Sequence, residues 1–182
     1  PMARAQPGQT RVLMIESRSI AAAIPHHKQK LALVFSAMRH FARSLTDRGF
    51  EVSYLDAEDF AEGIATYLSD HGGATIQVMA PTDWGVSEEL VEAAQQAGGR
   101  VEIVNNDLWL TTDEEFDEWA SGRKSLRLEY FYRSVRAARG WLMVDGEPAG
   151  GKWNYDADNR QTSEAGHRFP AVRTLELDDL TR

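Results

Sequence analysis

Four short apolar runs, separated by three segments of helical periodicity, constrain the fold of this 182-residue chain more than any other feature. The runs are residues 11–16, 50–55, 74–80 and 100–104, and turn-forming residues follow each of them. Strands that alternate with helices pair in parallel through right-handed crossovers. The sequence therefore predicts an α/β domain with a doubly wound, mostly parallel sheet flanked by helices, of Rossmann-like or flavodoxin-like type.

Capping residues indicate where the later helices begin and end. Ser87 is the expected N-cap of the helix after the third strand, because its hydroxyl can accept from free amides. Thr112 and Glu115 form a capping-box pattern that opens a short helix. Ser125 is the expected cap of a further helix, which Gly140 ends.

The last part of the chain has a different composition. Residues 145–182 are rich in Gly, Asp, Asn and Arg and show little periodicity. We therefore predict an α/β domain over residues 11–144, followed by a linker over residues 145–182 that leads away from it.

Composition excludes several classes of function. The formal charge of -8 argues against general coating of nucleic acid, which needs clustered Lys and Arg. The chain contains no cysteine, so we expect no disulfide, thiolate nucleophile or sulfur-held metal within it. No apolar run approaches the length of a membrane span, and the first ten residues lack the apolar stretch of a signal peptide. We expect a cytoplasmic protein with no catalytic residue and no metal site in this segment.

A crevice at the carboxyl ends of the strands is the expected ligand site of an open parallel sheet. Acids, an amide and a tryptophan follow the four strands and suit a small polar aromatic ligand. The candidate residues are Glu16, Asp56, Thr82, Asp83, Trp84 and Asn105. The alternative is that these residues only start turns and cap helices.

A basic segment lies inside this acidic chain. Between residues 123 and 139 there are six cations and one carboxylate, and Arg133, Arg136 and Arg139 follow at three-residue steps. The functional interpretation of this segment is contact with a nucleic-acid backbone or with an acidic neighbouring domain. The alternative is a solvated helix face.

Several longer motifs occur together and in a fixed order. They are His26-His-Lys-Gln-Lys30, Phe35-Ser-Ala-Met-Arg-His-Phe41, Pro81-Thr-Asp-Trp84, Gly122-Arg-Lys-Ser125, Glu129-Tyr-Phe-Tyr-Arg133, Gly150-Gly-Lys-Trp-Asn-Tyr-Asp156 and Asp158-Asn-Arg160. In this order they resemble the photolyase-related family, the iron–sulfur bacterial cryptochromes and (6-4) photolyases. The resemblance covers most of this chain and about the N-terminal third of a family member.

The resemblance implies a light-dependent flavoprotein that repairs (6-4) photoproducts in DNA. FAD and a [4Fe-4S] cluster would belong to a C-terminal helical domain outside this segment. The antenna 6,7-dimethyl-8-ribityllumazine would bind in the crevice described above. The complete protein would then be a photolyase-type lyase, and this segment alone would not be an enzyme. The alternatives are a blue-light photoreceptor cryptochrome and a free-standing flavodoxin-like module that binds a small ligand.

The resemblance also implies partners for the basic segment. We expect residues 150–160 to lie against the C-terminal domain of the same chain or in the groove of damaged DNA. The expected contact residues are Arg123, Lys124, Arg133, Lys152, Trp153, Asn154 and Arg160. The alternative is a rigid Gly-rich turn packed by Trp153.

Overall fold

The chain folds into two compact units. The computed structural model describes residues 5–160, 162–174 and 176–181. The first unit contains the described residues up to Asp107 and those from 176 onward, and the second unit extends from Leu108 to Thr174. The chain thus divides after Asp107. The role of residues 145–182 as a linker stays a prediction.

The first unit alternates strands and helices. Its elements are β1 (Arg11–Ser17), α1 (Arg18–Ala22), α2 (Lys28–Asp47), β2 (Glu51–Ala57), α3 (Phe60–Asp70), β3 (Thr75–Met79), α4 (Val86–Gln96) and β4 (Arg100–Val104). The four predicted strands are confirmed to within two residues at each end. The short helix α1 was not predicted, since its five residues are too few to show a period.

The strands pair in parallel, in two pairs. In one, β1 lies beside β2 with Glu16 opposite Asp56. In the other, β3 lies beside β4 with Thr75 opposite Arg100. The predicted α/β architecture of parallel strands flanked by helices is confirmed. Within the described residues, no strand ladder joins β1 to β3.

The core lies where α3 and α4 pack against the strands. Ile64 and Leu68 of α3 are buried with Leu90 and Ala94 of α4. Apolar burial of this kind is the main favourable term in folding. Gly63 lets α3 approach β1 closely, because a Cβ there would lie 2.8 Å from the side chain of Ile15.

Two predicted helix caps are wrong. Helix α4 begins at Val86 after Gly85, which takes a φ of 81°, so Ser87 lies inside the first turn and caps nothing. The helix expected to start at Ser125 begins only at Leu128, because Arg127 is still extended with φ -109° and ψ 117°. Neither helix has a side-chain N-cap hydrogen bond. In both places the backbone turn, and not a serine hydroxyl, fixes the helix start.

The second unit is built from short elements. They are α5 (Asp113–Ala120), α6 (Leu128–Arg139), β5 (Met143–Val144), β6 (Glu147–Pro148) and α7 (Asp156–Asn159). The predicted capping box is confirmed, with the Glu115 amide donating to Thr112 Oγ1 at 3.3 Å and the Thr112 amide donating to Glu115 Oε2 at 3.0 Å. Gly140 ends α6 as expected. Strands β5 and β6 form a small antiparallel hairpin.

None of the helices in the described residues combines the length and the hydropathy that membrane spanning requires.

Candidate functional site

Glu16 lies at the carboxyl end of β1, where the ligand crevice was expected. It is buried, with only 7% of its surface exposed. Arg39 of α2 donates from Nε to Oε1 at 2.8 Å and from Nη2 to Oε2 at 2.9 Å. The hydroxyl of Tyr54 on β2 donates to the same Oε1. A buried carboxylate is thus paired and hydrogen-bonded from two elements, as its burial demands.

These contacts shift the pKa values of Glu16 and Tyr54. The hydrogen bonds from Arg39 lower the pKa of Glu16 below its usual value, although burial alone would raise it. Burial, together with the bond to Glu16, raises the pKa of Tyr54 to about 12. At neutral pH Glu16 is therefore charged and the Tyr54 hydroxyl keeps its proton.

A pocket of about 260 Å³ opens beside Glu16. Its apolar wall is formed by Ala21, Ala22 and Phe35, and its polar side is formed by Glu16, Ser17, Arg18 and Asp56. Arg18 Nη1 donates to Asp56 Oδ1 at 2.6 Å, which fixes both side chains at the rim. A second pocket of about 300 Å³ shares Ser17, Ala21 and Phe35 with it, so the apolar wall continues along α2.

The chemistry of this pocket suits a small planar ligand with polar substituents. Phe35 offers an aromatic surface, while Ser17 and Asp56 offer a hydroxyl and a carboxylate. A carboxylate has about four acceptor positions, and Glu16 uses three of them within the protein. Glu16 therefore has room for about one further donor, and its main effect is to hold α2, β1 and β2 together around the pocket.

The structure brings together only two of the six candidate crevice residues. Glu16 and Asp56 line the same pocket, whereas Thr82, Asp83, Trp84 and Asn105 do not line it. Thr82, Asp83 and Asn105 are exposed, and the side chain of Trp84 is fully exposed. Their role in ligand binding stays a prediction. 

The side chain that stabilises the ends of β3 and β4 belongs to Asn106, one residue past Asn105. Its Nδ2 donates to the main-chain oxygen of Ala80 at 2.9 Å. The two strand ends are also joined directly, since the Ala80 amide donates to the main-chain oxygen of Val104 at 2.8 Å. Asn106 thus acts on the loop backbone through its side-chain amide.

Sequence reasoning missed Arg39, Tyr54, Arg18 and Phe35 at this site. Arg39 and Phe35 are four residues apart on α2, so they share one side of the helix. Tyr54 is two residues before Asp56 and lies opposite Met14 in the register of β1 and β2. The available clue was the pairing of these strands, which brings residues from both of them to the same sheet edge.

Arg136 in the second unit is buried, with 5% of its surface exposed. Its guanidinium donates to the main-chain oxygens of Trp141 at 3.1 Å, Leu142 at 2.7 Å and Trp153 at 3.1 Å. Arg139 is also engaged, because its Nη2 donates to Glu115 at 2.8 Å and 2.9 Å. Arg133, Arg136 and Arg139 were expected to share one helix face that contacts solvent, nucleic acid or a neighbouring domain. This prediction is wrong for Arg136, which hydrogen-bonds the backbone of its own unit.

Arg133, Trp153 and Asn154 form one cluster around Glu129. Glu129 Oε1 accepts from Arg133 Nη2 at 2.7 Å and from Asn154 Nδ2 at 2.9 Å. These two donors lower the pKa of Glu129. The half-buried ring of Trp153 lies between two guanidinium groups, 5.5 Å from Arg133 and 5.2 Å from Arg136. Cations over an indole face are attracted by its quadrupole.

The other four predicted contact residues are exposed. Arg123 stacks 4.6 Å from the Trp119 ring and donates from Nε to the Trp119 main-chain oxygen at 2.6 Å. Lys152 lies 3.9 Å from Asp158 and 5.6 Å from the Tyr155 ring. Lys124 and Arg160 also face solvent. Contacts of all seven residues with DNA or with another domain remain predictions.

The fold and this site define an α/β domain of parallel strands with a small pocket at the strand ends. Sequence comparison identifies the family. The sequence model of the deoxyribodipyrimidine photo-lyase-related proteins matches residues 1–182, and the chain belongs to this family.

Two curated relatives are similar over most of the chain. A (6-4) photolyase of Agrobacterium fabrum is 36% identical over 180 residues, which is 96% of this chain and 36% of the relative. This chain therefore spans about a third of the length of that photolyase. An uncharacterized protein, R852, of Acanthamoeba polyphaga mimivirus is 26% identical over 141 residues, which is 73% of this chain and 70% of the relative.

Proposed function

We propose that this chain is the antenna and interdomain part of a light-dependent DNA-repair flavoprotein that resembles (6-4) photolyases. The observation that carries the proposal is the 36% identity to a (6-4) photolyase across 96% of the chain. FAD and a [4Fe-4S] cluster would be held by the polypeptide that corresponds to the rest of that relative. On its own, the chain would bind an antenna and carry out no repair.

The antenna in this proposal is 6,7-dimethyl-8-ribityllumazine, bound in the pocket beside Glu16. The ring would pack on Phe35, and the ribityl hydroxyl groups would donate to Asp56 and Ser17. The bound lumazine would absorb light and pass excitation energy to the flavin. Energy transfer requires the lumazine to be held at a fixed distance and orientation relative to the flavin. The Glu16–Arg39 contact would make the pocket wall rigid enough for this.

Fluorescence anisotropy of lumazine, titrated with the chain, tests this assignment. We expect saturable binding that weakens by more than about tenfold when Ala21→Phe fills the apolar wall. Glu51→Gln is the matched control, because Glu51 lies at the opposite end of β2, where it pairs with the exposed Arg11. An anisotropy that stays at the value of free lumazine at every protein concentration would contradict the antenna proposal.

Exposed cations of the second unit supply the proposed contact with DNA or with the remainder of the protein. Lys152 and Arg160 are chosen for the test because both side chains are exposed. Charge reversal of both residues in the full-length protein should weaken DNA affinity and reduce its dependence on salt. Arg43→Glu, at an exposed position on α2, is the control. Equal affinities at all salt concentrations would contradict the DNA contact.

Light-dependent repair separates this proposal from the photoreceptor alternative. The full-length protein from its source cells should show flavin absorbance over a broad iron–sulfur shoulder, and it should repair (6-4) photoproducts under blue light. The 182-residue chain should show neither property. A flavoprotein that responds to light and leaves the lesion intact would overturn the repair function.

A further inference from the structure

One flank of α6 carries an exposed aromatic ring beside two guanidinium groups. Tyr130 keeps 47% of its surface exposed. The guanidinium carbon of Arg127 lies 6.0 Å from the centre of the Tyr130 ring, and that of Arg133 lies 5.7 Å from it. Positions three residues apart are neighbours on a helix. Arg127, Tyr130 and Arg133 therefore form one row that runs from the N-cap of α6 into the helix, and we call it the α6 row.

Small side chains leave space beside the Tyr130 ring. Ser134 and Ala137 follow Tyr130 by four and seven residues, so they lie on the same flank of α6 one turn and two turns later. Both residues are exposed. A planar group can therefore approach Tyr130 from solvent over these two turns without displacing a large side chain.

Contacts within the second unit hold the α6 row in place. Arg133 donates to Glu129 at 2.7 Å, and its guanidinium carbon also lies 5.5 Å from the centre of the Trp153 ring. Trp153 is half-buried and contacts Arg136, which is buried. Arg133 is thus fixed beside Tyr130 before any ligand arrives, and such preorganisation lowers the entropy cost of binding.

The charges of the second unit are segregated along its sequence. Helix α5 carries five carboxylates among its eight residues, whereas residues 123–139 carry six cations and one carboxylate. Arg123, Lys124 and Arg127 of this basic segment are exposed and precede Tyr130. Clustered cations of this kind attract a polyanion. Charge complementarity therefore favours a nucleic-acid backbone as the partner of this flank.

The exposed ring indicates which kind of nucleic acid fits. In a duplex the faces of the bases are hidden in the stack, and proteins contact phosphates and groove edges. Unpaired bases expose their faces, which stack on aromatic rings and on guanidinium planes. A tyrosine ring flanked by two guanidinium groups offers both kinds of surface. The α6 row therefore suits unpaired nucleotides better than a duplex.

We propose that the α6 row binds an unpaired stretch of nucleic acid, with one base stacked on Tyr130. The neighbouring phosphates would pair with the exposed cations Lys124 and Arg127. Arg133, which Glu129 holds in place, would extend the stacking surface. This inference rests on the DNA contact proposed above and adds the form of the nucleic acid and the residue that contacts a base.

Fluorescence anisotropy of labelled strands, titrated in the dark with the full-length protein, tests the proposal. The probes are undamaged oligothymidylate of about ten nucleotides, an abasic strand with the same number of phosphates, and a duplex of equal length. We expect oligothymidylate to bind about tenfold more tightly than the abasic strand, because only the former has a base to stack.

Two variants of Tyr130 isolate the stacking contact. Tyr130→Leu should weaken the binding of oligothymidylate and leave the binding of the abasic strand unchanged, whereas Tyr130→Phe should bind both like the wild type. Phe41→Ala is the matched control, because Phe41 is an aromatic residue of α2 in the first unit with a similar exposed fraction, 46%. Its affinities should equal those of the wild type.

A variant of Arg127 isolates the phosphate contact. Arg127→Gln should weaken the binding of both single strands and lower the slope of log affinity against log salt concentration by about 0.7. The ratio of the two affinities should stay as in the wild type, because Tyr130 is retained. A slope equal to that of the wild type would contradict the phosphate contact at Arg127.

Several outcomes would overturn the proposal. One is equal affinity for oligothymidylate and the abasic strand, and another is tighter binding of the duplex than of oligothymidylate. A Tyr130→Leu protein that distinguishes the two strands like the wild type would also overturn it. If Tyr130 in the DNA-free full-length protein resisted acetylation by N-acetylimidazole, the flank would be covered by a neighbouring domain instead.

Repair is measured separately, so the two proposals fail in different ways. A full-length protein that stacks bases on Tyr130 but leaves (6-4) photoproducts intact under blue light contradicts only the repair function. A protein that repairs the lesion but binds oligothymidylate and the abasic strand equally contradicts only the present inference.

Discussion

Arg39 of α2 holds both carboxylate oxygens of Glu16, at 2.8 Å and 2.9 Å, and so fixes the longest helix of the chain to the end of β1. Tyr54 of β2 completes the contact by donating to the same carboxylate. Three elements therefore meet at one buried charge. The pocket at the strand ends lies beside this charge, since Glu16 and Phe35 both line it.

Glu16→Gln should destabilise the first unit by about 2 kcal/mol at pH 7, because an amide replaces the ionised acceptor of Arg39. The pKa of Glu16 is lowered in the folded state, so its stabilising effect is present above the unfolded pKa of about 4.3. The effect is lost as pH falls through the folded pKa. Urea unfolding of both proteins at pH 7 and in acid measures the difference.

The matched control for this change is Glu51→Gln. Glu51 pairs with Arg11 at 2.9 Å, but both side chains are more than half exposed. Exposed pairs contribute little to stability, so this variant should unfold like the wild type at both pH values. An equal loss in the two variants would contradict the special role of the buried carboxylate.

Tyr54 should ionise at a higher pH than an ordinary tyrosine. Burial and the bond to Glu16 raise its pKa to about 12 in the folded state. Because its folded pKa exceeds its unfolded pKa of about 10, the related stabilisation is present below pH 10 and is lost as pH rises toward 12. Tyrosinate absorbance followed during an alkaline titration should show one late step.

Tyr54→Phe should remove that late step. Tyr155→Phe is the control, because its exposed hydroxyl donates to the main-chain oxygen of Gly150, away from any carboxylate. A late step that survives in Tyr54→Phe would show that another tyrosine is responsible.

Arg136→Met should destabilise the second unit by more than about 2 kcal/mol, because three main-chain oxygens lose their donor. Its stacking on Trp153 would be lost as well. Arg136→Lys should recover part of the loss, since an ammonium keeps the charge but lacks the planar set of donors. Tryptophan fluorescence during unfolding, with amide exchange over residues 141–153, reports the effect.

Arg139→Met is the comparison for Arg136. It removes the contact with Glu115 and the stacking of Arg139 at 5.6 Å from the Trp141 ring, but it leaves no buried main-chain oxygen without its donor. We therefore expect a loss of about 1 kcal/mol, smaller than that of Arg136→Met. If the two variants lost equal stability, the helix as a whole would be responsible, and not the buried guanidinium.

Gly63→Ala should cost about 1–3 kcal/mol, because the added methyl would lie 2.8 Å from Ile15 and force α3 away from β1. Gly72→Ala is a matched control, since a Cβ there meets no atom within 4 Å. That variant should be as stable as the wild type or slightly more stable. Thermal unfolding of both variants by circular dichroism decides whether close packing at Gly63 matters.

Local sequence patterns were enough to predict the four strands of the first unit and several helix ends. The apolar run at 100–104 matched β4 residue for residue, and the pairing of Thr112 with Glu115 correctly identified the start of α5. Both features depend on interactions within a few residues, which a sequence displays directly. Ser87 and Ser125 failed as caps because the backbone conformations at Gly85 and Arg127 fix those helix starts.

The spacing of charged residues in the sequence did not predict which arginines are buried and which are paired. Arg133, Arg136 and Arg139 were expected on one face of their helix. Arg136 is instead buried under Trp153, and Arg139 is paired with Glu115. Their partners are up to 24 positions away along the chain, so spacing alone could not identify them. The same limit applies to Arg39, which reaches Glu16 across 23 positions.

The sequence by itself determined the α/β class, the order of the first four strands and the three long helices between them, and the family, because periodicity and motif order are properties of the chain alone. Only the tertiary structure decided that Glu16 and Asp56 share a pocket while Trp84 stays in solvent. It also decided that Arg136 is buried against the backbone of its own unit. These outcomes depend on contacts between distant residues, whose geometry is fixed only when the elements pack.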